Sequence, residues 1–202
     1  MTVPPRGPRS MREFDPPRMA NLELRMWKAY YAKQHLRLFA LLVTMLHEQY
    51  HYSWVRATTE GFHLARAAAT FGDLKSGYAI VLPDLERAYG QAKTWLGAGY
   101  DPAEVARAEL AWWVARRIPG RNSPEQVGEL MAQEYALLYE APREAMARAA
   151  FLRAEAGWLR DRDATRPDWD TIETLLVQSY RDLFGALHQG FAARLPAPSF
   201  EG

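Results

Sequence analysis

Apolar residues recur every three to four positions along most of the chain and almost nowhere at every second position. That spacing predicts amphipathic helices and no sheet. No Asn-Gly or Asp-Gly hairpin turn occurs, and Ala, Leu, Glu, Arg, Met and Gln, all good helix formers, dominate. Breakers and capping residues divide the chain into eight helical segments. The first runs from about Pro16 to Ala32, with Asp15 as N-cap. The second covers Gln34 to Tyr52 and the third Ser53 to Gly72, followed by a loop from Gly72 to Pro83. The fourth spans Asp84 to Leu96 and stops at Gly97 and Gly99. The fifth opens at Asp101-Pro102 and ends before Pro119-Gly120. The sixth opens at Ser123-Pro124-Glu125 and reaches Tyr139. The seventh covers Pro142 to Arg162, and the eighth begins near Asp168 and fades by Gly190.

The pattern repeats. Glu23 to Ala29 matches Glu109 to Ala115 at an offset of 86 residues, which also carries Met45 onto Met131 and Glu48 onto Glu134. Leu64 to Asp73 matches Leu152 to Asp161 at 88, and Leu85 and Tyr89 match Leu176 and Tyr180 at 91. Matches in one order on corresponding helices predict a duplication. The expected architecture is an all-α, eight-helix bundle made of two pseudo-symmetric four-helix repeats, residues 15–99 and 100–192, packed as one unit. Residues 1–14, rich in Pro and Arg, read as a disordered tail, with Met11 a second candidate start. Residues 193–202 read as a loose tail.

Composition narrows the classes. Twenty-five basic residues balance 24 acidic ones for a net charge of +1, which gives no long-range pull on nucleic acid. No apolar run approaches the ~20 residues of a membrane span; Leu36 to Leu46 is the most apolar and is too short. With no cysteine, disulfides, thiolate metal sites and thiol nucleophiles are excluded, which fits a cytoplasmic address.

The candidate chemistry lies in glutamates on apolar helix faces. Glu23 has Met19, Met26 and Trp27 as helical neighbours; Glu48 has Leu41, Thr44 and Met45; Glu109 has Val105, Trp112 and Trp113; Glu134 has Leu130, Met131, Leu137 and Leu138. An ionised carboxylate on such a face is costly unless paired or metal-bound. Glu23 and Glu48 are centred on Lys33–Leu36, and Glu109 and Glu134 on Gly120–Asn122. Each hairpin is thus expected to present two carboxylates side by side, roughly 19 Å from its turn. Glu48-x-x-His51 and Glu60-x-x-His63 add imidazoles at a spacing that places both side chains on one helix face.

This set, Glu23, Glu48, His51, Glu60 and His63, resembles the ferritin-like di-iron carboxylate bundles. The resemblance implies two iron or manganese ions and oxygen-dependent oxidation of a small molecule, with Glu109 and Glu134 as further ligands or their supporting partners. The sequence departs from that pattern in two respects: the second Glu-x-x-His is on the adjacent third helix, not the fourth, and the fourth helix has no carboxylate at the right height, since Glu86 is in its first turn. His47-Glu48-x-x-His51 also matches the zinc peptidase pattern, but no third ligand follows at the expected spacing. Two other accounts stand beside the metal one. The glutamates are structural partners of arginines such as Arg66, Arg116, Arg148 and Arg153. Alternatively the chain is a non-catalytic helical interaction or scaffold module, open to homo-oligomers, and that account requires an exposed apolar patch.

Overall fold

The computed structural model describes residues 10–192, with side chains through His188. Residues 1–9 of the expected N-terminal tail, and the whole of the tail expected at 193–202, lie outside the described residues. The helices are α1 (Pro16–Tyr31), α2 (His35–Gln49), α3 (Trp54–Asp73), α4 (Leu82–Leu96), α5 (Pro102–Ala115), α6 (Pro124–Leu138), α7 (Arg143–Arg162) and α8 (Trp169–Ala192), with a 3₁₀ turn at Tyr78–Val81. No strand occurs among the described residues, and no described helix is long and apolar enough to cross a membrane.

Helix starts follow the side chains that satisfy their first free N–H groups. Asp15 accepts from the Arg18 amide at 3.1 Å, Ser53 from Arg56 at 3.3 Å, Asp101 from Ala103 at 2.9 Å and Ser123 from Gln126 at 3.3 Å. Each such cap is worth about 1 kcal/mol. Three of the tight turns place a non-glycine residue in the left-handed region: Lys33 (φ 54°), His51 (φ 55°) and Glu140 (φ 49°).

The eight helices form a closed ring. Each packs against its neighbours in the chain, and α8 returns to pack against α1. Helix backbones approach one another only between neighbours around this ring. The centre is filled by long side chains in one contiguous apolar cluster that draws on every helix. A smaller cluster of Val43, Leu46, Tyr52 and Ala57 lies under the α2–α3 hairpin. Two glycines set the closest approaches. A Cβ at Gly61 would meet the Val43 side chain at 3.2 Å, and one at Gly128 would meet the Phe151 backbone at 3.0 Å.

The segment Ser10–Asp15, most of it within the stretch expected as a tail, packs against the ring. Met11 and Phe14 are only 7% and 8% exposed. Arg12 donates to the Tyr139 carbonyl at 2.5 Å, and His51 Nε2 lies 2.7 Å from the Glu13 carbonyl. Phe14 packs edge-on against Tyr180 and Phe184. Two buried apolar side chains and ties to both the α2–α3 and α6–α7 turns hold this strap across one end of the ring.

Candidate functional site

Four glutamates point into the ring: Glu23 from α1, Glu60 from α3, Glu109 from α5 and Glu134 from α6. Glu23 and Glu60 are 2% exposed and Glu134 is 6% exposed. Their apolar helical neighbours turn these faces inward, and polar side chains meet them there. Glu23 Oε1 accepts from Arg153 Nε at 2.7 Å and Nη2 at 2.6 Å, and its Oε2 accepts from the Tyr180 hydroxyl at 2.8 Å. Glu134 Oε2 accepts from Trp112 Nε1 at 2.5 Å. The Tyr89 hydroxyl stands between two carboxyls, 2.7 Å from Glu109 and 3.4 Å from Glu134.

Burial and mutual repulsion set the charge states. Desolvation, reinforced by Glu134, pushes Glu109 up to about 8. Desolvation also raises Glu134 against the opposing pull of Arg153 and Trp112. Glu60 is pushed up to about 8 by burial. Its Oε2 and the Tyr52 hydroxyl are both buried without a hydrogen-bond partner. For Arg153, burial works against the charge, but Glu23 outweighs it and keeps the guanidinium protonated. Near neutral pH the interior therefore holds one ion pair, Glu23 with Arg153, beside protonated carboxyls at Glu60 and Glu109.

The other expected site residues lie elsewhere. Glu48 is partly exposed and takes a bidentate contact from Arg18, with both distances 2.7 Å. The α1–α2 turn centres on Lys33 rather than Lys33–Leu36, so Glu48 stands level with Arg18, and Glu23 stands level with Val43. His51 lies past the end of α2, with its chain in the left-handed region. It therefore does not share a helix face with His47 or Glu48, and the peptidase-like spacing loses its geometry. His63 turns to α4, 3.2 Å from Asp84, which Arg66 also binds. No imidazole joins the four interior glutamates. Among the described residues no three His, Asp or Glu side chains gather closely enough to hold one metal ion.

His47, Glu48 and His51 instead line a surface cleft of about 700 Å³, opposite Glu13, Phe14 and Asp15 of the strap. Met19 and Phe184 complete its walls. Arg153 was among the arginines named as candidate partners, whereas Trp112, Tyr89 and Tyr180 were not named as partners. Only the tyrosines left a signal, since their mutual offset of 91 runs parallel to the 86 of Glu23 and Glu109.

The chain matches no known protein family, no curated protein and no solved structure.

Proposed function

We propose that this chain is a non-catalytic helical scaffold that pairs with a second copy of itself through the outer face of α2 and α3. The observation that carries the reading is the apolar character of that face. Leu36 is 90% exposed, Val55 76%, Phe62 54% and Trp54 55%. From Leu38 to Leu46, α2 carries no charge, yet it packs only against α1 and α3. A helix apolar on most sides needs cover on most sides.

The occupant follows from the side-chain register. Val55, Phe62 and Ala69 recur every seven residues along exposed α3, with Thr58, Thr59 and Ala65 between them. Antiparallel pairing of two copies about Phe62 sets Val55 against Ala69, large against small. It sets Arg66, a charged side chain on this stripe, against Thr58, so like charges do not meet. A two-fold interface requires this self-complementarity. Sedimentation of the parent chain gives dimers that Phe62→Asp converts to folded monomers. A parent chain that stays monomeric at high concentration overturns the reading, whether or not another protein binds there.

The interior supports a structural role for its glutamates. Glu23, Glu109 and Glu134 each accept at least one hydrogen bond, and a hydrogen-bonded polar network fixes helix register. A di-metal oxidase draws support from four carboxylates on four helices. The donors do not fit it in this arrangement, because Arg153 occupies Glu23, indole and phenol groups occupy Glu134 and Glu109, and histidine is missing from the group.

We also read the ring as a duplication. Left-handed residues recur at matching turns, Lys33 with Gly120 and His51 with Glu140. Glu23–Tyr180 and Glu109–Tyr89 are matching pairs made with the neighbouring helix around the ring.

A further inference from the structure

The cleft beneath the strap lies apart from the interior network and meets the α2–α3 face where His47 stacks on Trp54 at 3.9 Å, and its polar groups share one property. His47 Nδ1 lies 2.5 Å from the Tyr52 carbonyl. A carbonyl only accepts, so Nδ1 carries the proton and Nε2 keeps its lone pair. His51 Nε2 lies 2.7 Å from the Glu13 carbonyl, so there Nδ1 keeps the lone pair. In its neutral form each imidazole is thereby fixed as an acceptor toward the cleft. Glu13, Asp15 and Glu48 are acceptors too. Arg18 saturates Glu48 and holds its carboxyl below the usual range. Among the described residues neither Glu13 nor Asp15 is in an ion pair. The last turn of α2, the negative pole of that helix, borders the cleft at His47 and Glu48. Asp15 neutralises the opposing pole at the start of α1 by capping it. The walls are apolar and partly aromatic: Phe14, Met19 and Phe184.

We propose that this cleft binds an amphipathic organic cation, an amine with an aromatic or alkyl body. The body lies against Phe14, Met19 and Phe184, where aromatic faces favour a cation over an anion. The ammonium donates chiefly to Glu13 and to the Asp15 oxygen that does not cap α1. An anion would meet carboxylates on both sides and no free donor. The volume of about 700 Å³ suits a small molecule.

The test is titration calorimetry of the full chain with three probes of one shape: phenethylamine, 2-phenylethanol and 3-phenylpropionate. The amine binds saturably, the alcohol at least about tenfold more weakly, and the acid weakest. Glu13→Gln with Asp15→Asn, which keeps the helix cap, weakens the amine about tenfold and leaves the alcohol unchanged. Glu48→Gln frees Arg18 and moves the preference toward the acid. Circular dichroism confirms that each variant is folded. No saturable amine binding, equal binding of amine and acid, or an unchanged amine affinity in the folded double variant overturns the proposal.

Discussion

Arg153 of α7 reaches into the ring to clasp Glu23 of α1, with two of its nitrogens 2.6 and 2.7 Å from the same carboxylate oxygen. The Tyr180 hydroxyl holds the other oxygen. The ion pair sits beside acids that burial raises at Glu60, Glu109 and Glu134, so its two halves are not equivalent to remove.

Arg153→Met leaves a buried carboxylate without its cation and should cost about 3–5 kcal/mol. Glu23→Gln with Arg153→Met removes both charges and should recover part of that loss. Urea denaturation of the two single variants and the double variant measures the coupling. Additive losses would show that the pair is not linked as its geometry requires.

The raised carboxyls make stability fall with rising pH. Glu60 and Glu109 titrate near 4.5 when unfolded and are pushed up to about 8 when folded. Between those values the folded state holds more protons than the unfolded one. Their contribution is therefore complete below about 4.5 and is lost as pH rises through about 8. Glu60→Gln, permanently neutral, should match the parent near pH 5 and exceed it in stability at pH 9. Denaturation midpoints at the two pH values decide this, and a variant weaker than the parent at pH 9 would contradict the assignment.

Glycine substitutions separate helix packing from helix propensity. Gly128→Ala drives a methyl toward the Phe151 backbone, where the gap is 3.0 Å. It should destabilise by about 1–3 kcal/mol despite the better helix former. Gly90→Ala in α4 meets no atom within 4 Å and should stabilise by about 0.5–1 kcal/mol. Thermal melts of both variants check the opposite signs.

Protein purified without chelator should carry iron and manganese well below one ion per chain by plasma mass spectrometry, and Glu48→Ala should not change that content. A stoichiometric metal lost in Glu48→Ala would restore the di-metal account and require the carboxylates to rearrange around Arg153.

Much of the fold was legible because helix starts are written locally. Asp15, Asp101, Ser123 and Asp168 cap the helices they were expected to open. Ends were harder to see. α2 stops at Gln49, short of the expected Tyr52, because the turn uses His51 in a left-handed conformation where a glycine would have signalled it. α4 begins at Leu82, with Pro83 in its first turn rather than before it. The inward direction of Glu23, Glu109 and Glu134 was readable from apolar neighbours three and four residues away, but the same reading placed Glu48 inward, and it is partly exposed and paired with Arg18. The partners of the three inward glutamates were not readable. The Arg153–Glu23 bond joins residues 130 apart, and no local pattern selects that arginine from the others. Glu48 was misplaced in part because the turn centres on Lys33, which sets it level with Arg18 rather than Glu23.

Closing the ring with the last helix has a consequence during synthesis. Chains emerge from the ribosome N-terminus first, so α1 must wait for α8 before its second flank is covered. Tyr180 joins Glu23 across 157 residues, and Arg153 is made only shortly before it. Until the final two helices are translated, α1 offers the nascent chain an open apolar groove with an unpaired acid in its floor. That groove disappears once α8 docks.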